Sequence, residues 1–120
     1  MYVDGFVVPV KTARKDDYLQ ISKDVAEIFL EFGASRVVEG WGDDVPDGEV
    51  TSFPMAVKLE DDETALFSWV EWPDKATRDA GMAKVMADPR MAESMPDDVV
   101  AGKRMIFGGF ELILDERDET

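Results

Sequence analysis

A chain of 120 residues with 27 acidic and 13 basic side chains carries a formal charge of −14. That balance repels polyanions and argues against nucleic acid or an anionic membrane surface as partner, since binding phosphates needs Lys and Arg to neutralise them. Neither cysteine nor histidine is present, which removes disulfides, zinc sites built on those ligands, thiol nucleophiles and histidine bases.

Hydrophobic residues make up 45% and charged residues 33% of the chain, a globular composition. The length suits one domain, residues 1–115, followed by a charged tail at 116–120. The opening MYVDGFVVPV has an acid at Asp4 and no basic region ahead of its apolar residues, so it does not read as a signal peptide. No apolar run approaches the ~18 residues of a membrane span. The expected location is the cytoplasm.

Residues 2–10 have the β-branched and aromatic character of a strand, with Pro9 near its end. Tyr18, Ile21, Val25, Ile28, Phe29 and Phe32 then fall at three- and four-residue spacing. They form one apolar stripe of a helix over 14–32, with Thr12 placed to cap it and Gly33 to end it. A second strand is expected at 34–42, a short extended segment at 51–59 and a third strand at 63–72. Residues 73–89 carry a second helix, capped by Asp74 and stopped at Asp88-Pro89. A loop with one helical turn fills 90–104, and RMIFGGFELIL (104–114) is the last strand.

The order β-α-β-β-α-β is the ferredoxin-like plan of an α+β protein: a four-stranded antiparallel sheet with two helices on one face. The other face should turn polar if water covered it. Instead Leu66, Val70 and Trp72 oppose Phe67 and Trp69, and Ile106, Phe110, Leu112 and Leu114 oppose Met105, Phe107 and Ile113. Both faces are apolar and no spare element is large enough to cover the second. The expected cover is the same face of another copy, in a homodimer with sheets packed face to face.

The stretch GWGDDVPDGEV (40–50) is rich in acids and glycine. Read as a calcium loop with Gly48 at the sixth position, it puts Val45 and Pro54 where ligands belong. Read as a phosphate loop, it lacks a third glycine and a following helix. Val45-Pro46-Asp47-Gly48 fits a β-turn. No metal and no cofactor is expected. Asp43 and Asp44 stay as candidate acid–base groups, because neighbouring carboxylates raise one another's pKa.

Trp41, Trp69 and Trp72 suit core packing, interface packing or a stacking wall for a flat ligand. Asp4, Ser68 and Glu71 interrupt apolar strands and need partners if buried. Arg104 is placed to pair with Asp4, Asp43 or Asp44, or to anchor a ligand. Arg90, just after a helix stop, is suited to the last carbonyls of that helix. Gly108-Gly109 inside a strand suggests a bulge or the close approach of another backbone. The methionines suit an adaptable apolar lining.

WGDD (41–44), VTSFP (50–54), FSW (67–69), MADPRM (86–91) and KRMIFGGFE (103–111) together resemble the YbaA-like bacterial family, domain of unknown function number 1428. The resemblance covers about residues 1–115, and the segment 93–105 departs from it. It implies the dimeric α+β barrel superfamily and brings no established activity. Several enzymes of that superfamily rely on a barrel histidine, which this chain lacks.

Three functions follow as expectations. The first is a homodimer binding a small apolar or aromatic molecule in the cleft between helices and sheet, with Trp41, Trp69, Ser68 and Arg104 at the ligand. The second is a cofactor-independent enzyme, monooxygenase- or isomerase-like, with Asp43, Asp44 or Glu71 as base. The third is a structural or regulatory dimer without ligand. A carboxyl group with raised pKa inside a cavity favours the enzyme, and a cavity without one favours the binding protein.

Overall fold

The computed structural model describes residues 1–119. Its main elements are β1 (Tyr2–Lys11), α1 (Lys15–Glu31), β2 (Arg36–Trp41), α2 (Phe53–Ala56), β3 (Glu63–Trp72), α3 (Lys75–Ala87), α4 (Pro89–Glu93) and β4 (Ile106–Glu111). The strands form one antiparallel sheet in the order β2-β3-β1-β4. The expected β-α-β-β-α-β order is present, with α2 and α4 as short additions.

The central pair β1–β3 is matched over ten residues, from Tyr2 opposite Trp72 to Lys11 opposite Glu63. Side chains alternate across a strand, so this register puts Val8, Val10, Leu66, Val70 and Trp72 on one face. There they meet Tyr18, Ile28 and Phe29 of α1 and Val85 of α3 in the core. Acids at Asp16 and Asp17 open α1, where the helix dipole favours them. Gly33 takes φ +112° just past its end, and the Ala34 N–H closes the turn onto the Phe29 carbonyl at 3.0 Å. Thr12 does not cap α1; its hydroxyl lies 2.7 Å from that of Thr64.

Asp74 caps α3 by accepting from the Thr77 N–H at 2.7 Å. Asp88 ends that helix and caps α4, accepting from the Arg90 N–H at 2.9 Å. Arg90 does not serve the helix carbonyls; its guanidinium pairs with Asp88 and Glu31. Packing of α3 on the sheet needs Gly81, because a Cβ there would run into the Phe32 carbonyl and the Trp72 ring.

Three local expectations are corrected. Residues 51–59 are not extended, because Ser52 caps α2 through the Met55 N–H at 3.1 Å and Pro54 sits in its first turn. The backbone at 45–48 neither bends sharply nor closes a hydrogen bond, so the expected β-turn is not formed, although Gly48 does use φ +70°. Gly108 and Gly109 make no bulge, since their pairing with Gly5 and Asp4 is continuous. The tight approach is instead from Tyr2 and Arg78, whose side chains occupy the space a Cβ on Gly109 would need.

Asp4 explains that crowding. It is buried on the helix side and accepts from Trp72 Nε1 at 2.9 Å and from Arg78 Nη2 at 2.7 Å. The Arg78 guanidinium lies 5.0 Å from the Tyr2 ring. The second sheet face is open over Val3, Val7, Phe67, Trp69, Ile106 and Phe110. At one end it is closed by the chain itself. Phe53 of α2 packs edge-on against Phe67 at 5.7 Å, and Arg104 ties the loop at 57–60 to Glu63.

Asp4→Asn removes the charge that partners Arg78. Breaking a buried pair is costly, and Arg78 keeps 23% of its side chain exposed, so a loss of about 2–3 kcal/mol is expected. Urea denaturation followed by tryptophan fluorescence measures it, and an unchanged midpoint would show that the pair is not structural.

Candidate functional site

Between α1 and the sheet lies a cavity of about 100 Å³. Its walls are apolar: Phe6, Val8, Val25, Phe29 and Val37, with Met91, Met95 and Met105 among the rest. One polar cluster breaks this lining. The Tyr18 hydroxyl donates to Glu39 Oε2 at 3.0 Å, and the Ser68 hydroxyl donates to the same oxygen at 2.6 Å. Three elements meet here. Ser68 stands on the helix-facing side of β3, Glu39 is its direct partner on β2, and Tyr18 reaches down from α1.

Glu39 belongs to an edge strand and keeps much of its surface open. Its carboxyl end is nonetheless crowded by protein. Loss of hydration raises its pKa above the ordinary 4.5, against the opposing pull of the Ser68 and Tyr18 hydrogen bonds. The phenol of Tyr18 is also pushed up, by burial first and then by the Glu39 charge. Glu39 Oε1 makes no hydrogen bond to any described residue.

The residues singled out in the sequence separate in space. Ser68 and Trp69 line this cavity, and Trp69 also borders the open sheet face. Trp41, Asp43 and Asp44 border a different, shallow depression of about 260 Å³, and the Lys15 ammonium stands 5.1 Å from the Trp41 ring. Glu71 faces the open side of the sheet, accepting from Trp69 Nε1 at 2.9 Å and from Arg36 at 3.3 Å. The expected partners of Arg104 are corrected. It pairs with Glu63 at 2.8 and 2.5 Å and donates to the carbonyls of Val57 and Lys58. This guanidinium holds the Glu63 carboxyl below its usual range. Arg104 borders neither the cavity nor the open face. Among the described residues no three carboxylates are grouped as metal ligands.

Tyr18 and Glu39 were not singled out. Tyr18 reads as one more member of the apolar helix stripe. Glu39 carried a signal: it is an acid on the side of β2 that also bears Val37 and Trp41, so its partner was a question the pattern raised.

The fold and the cavity define a ferredoxin-like α+β protein with its pocket between helices and sheet. The model of the family described as protein of unknown function, DUF1428, matches residues 1–102. The uncharacterised protein YbaA of Escherichia coli strain K12 is 57% identical over 118 residues, covering 96% of this chain and 98% of its own length. YbaA of Shigella flexneri gives the same values. The chain belongs to the DUF1428 family. Among solved structures, a NIPSNAP domain protein from Burkholderia xenovorans aligns with a TM-score of 0.58 at 16% identity, over 98% of this chain and 100% of that one. A protein from Agrobacterium tumefaciens aligns with a TM-score of 0.54 at 18% identity, over 92% of each. At these identities the likeness is one of fold.

Because the folded state raises the pKa of Glu39, it favours the protonated carboxyl. That contribution is complete below the unfolded value near 4.5 and is lost as pH rises through the folded value. Glu39→Gln keeps a neutral group at every pH. Its melting temperature should match the native chain's near pH 4 and exceed it as pH rises through the folded value of Glu39. A difference that does not change with pH would mean Glu39 is hydrated like a surface carboxylate.

Proposed function

We propose that this protein works as a homodimer, joined through the open faces of its sheets, and that each helix–sheet cavity takes a small, largely apolar molecule. One observation carries the ligand reading. An otherwise apolar cavity with adaptable methionine walls holds a carboxyl group with a free oxygen, and an apolar pocket with few polar groups is the usual form of a small-molecule site. Ser68 and Trp69 belong to that site, with Glu39 and Tyr18 as its polar centre.

The dimer reading rests on the uncovered face. Phe67, Ile106, Phe110 and Leu112 are exposed on it around a groove of about 980 Å³, and monomers rarely leave so continuous an apolar patch to water. Past the end of β4, Ile113 and Leu114 are 94% and 73% exposed. Strand-forming residues beside an unfinished sheet edge suit pairing with a second copy. Arg36, Glu71, Asp115 and Arg117 at the rim provide both signs of charge for a contact between two acidic chains.

A second reading, cofactor-independent proton transfer, draws on the same carboxyl. A raised carboxyl pKa beside two hydroxyl groups is the arrangement a general base needs. Glu39 then takes the role considered for Asp43, Asp44 and Glu71.

Native mass spectrometry on protein from its own host tests both parts, run gently and then under denaturing conditions. A dimer carrying extra mass that denaturation releases is the expected result. A clean monomer at micromolar concentration would overturn the dimer, and a dimer with no retained mass would move weight to transient substrates. Phe110→Asp places a charge in the proposed contact and should give a folded monomer in sedimentation velocity. A persisting dimer would mean a different face is used.

A further inference from the structure

We infer that the helix–sheet cavity selects a neutral, mostly apolar molecule bearing a single hydroxyl or N–H donor, which bonds Glu39 Oε1, and that it turns carboxylates away. The inference rests on the proposed ligand site and names what that site accepts.

The hydrogen-bonding inventory decides the chemistry. Tyr18 and Ser68 each have one O–H proton, and both are spent on Glu39 Oε2. Ser22, also at the cavity, spends its proton on the Leu19 carbonyl at 2.9 Å. Oε1 of Glu39 is therefore the charged acceptor left over, beside the lone pairs of the hydroxyl oxygens, while the lining donors are committed. The groups facing Glu39 are Tyr18 from α1 and Ser68 from β3, and no Lys or Arg lines the cavity. An entering carboxylate would meet a like charge with no cation to offset it and no free donor to receive it. An entering hydroxyl or N–H would complete the shell of a carboxylate that protein already crowds, a charge-assisted bond in a site of low polarity.

Size sets the other limit. About 100 Å³ is less than the roughly 150 Å³ of a cavity that holds benzene. Met91, Met95 and Met105 give the lining room to adjust, because unbranched thioether chains repack readily. A single six-membered ring is the upper limit, and it enters only with repacking of that lining.

Phenol, toluene and benzoate are the probes. Phenol and toluene differ by a hydroxyl in place of a methyl, and benzoate carries the charge. Titration at pH 8, followed by amide shifts in NMR, should place phenol beside Tyr18, Glu39 and Ser68 and show it binding about tenfold or more tightly than toluene, with benzoate excluded. The advantage should shrink as pH falls and Glu39 protonates. In Glu39→Gln the amide oxygen can keep the two hydroxyl bonds and the amino group then faces the cavity. The phenol oxygen can then only accept from that amino group, a neutral bond in place of a charge-assisted one, and the phenol advantage should fall severalfold in a chain whose circular dichroism is unchanged. Toluene matching phenol, benzoate binding best, or phenol shifts confined to the open sheet face would each overturn the selectivity and leave small-molecule binding itself standing. No binding of any probe at millimolar concentration would overturn both this inference and the ligand site beneath it.

Discussion

The ten-residue register between β1 and β3 is the constraint on which the rest of the structure depends. A shift by one residue would exchange the faces of every side chain on the strand. For β3, Trp72, Val70 and Leu66 would leave the helices, and Phe67 and Trp69 would enter. Two polar residues are fixed by the same register. Asp4 falls opposite Val70 and beside Trp72, and Ser68 falls opposite Phe6 and beside Glu39. One pairing therefore sets the core, the buried ion pair and the polar centre of the cavity.

The two carboxylates on the helix side differ in how fully they are satisfied. Asp4 is held by the Trp72 indole and by two nitrogens of Arg78, and it is closed off. That arrangement orders structure: it orients Trp72 against Phe29 and ties α3 to β1. Glu39 has two neutral donors on one oxygen, none on the other and no cation nearby. Its carboxyl end is crowded by protein while the residue keeps much of its surface open, so one oxygen is left for water or another partner. This contrast directs attention to Glu39 rather than to Asp4 or Glu63, whose partners are ions.

The open sheet face poses a separate problem. The chain covers one end of it with α2 and the segment around Arg104, where Pro9, Ala65 and Val57 are buried. The remainder stays apolar and exposed. A net charge of −14 keeps such a surface soluble by repulsion, and opposes association except where the contact is apolar and its rim carries both signs. The proposed face-to-face dimer meets those conditions, and Trp69 borders both the open groove and the cavity.

The sequence by itself determined the plan of this protein. Runs of β-branched and aromatic residues around one clear helical stripe marked out the β-α-β-β-α-β order, because composition and helical spacing are local properties. The cap at Asp74 and the stops at Gly33 and Asp88-Pro89 were legible for the same reason, whereas the capping of α4 by Asp88 was not. Membership of the DUF1428 family was legible in the blocks WGDD and FSW, which lie inside the residues the family model matches. Which acid meets which base was not. Arg104 finds Glu63 rather than Asp4, Asp43 or Asp44, and Asp4 finds Arg78 on α3. The pairings of Glu39 with Tyr18 and with Ser68 span 21 and 29 residues of chain. Only the tertiary structure could decide them, since strand order and helix placement choose the side chains that share a cavity, and no spacing within one element records that choice.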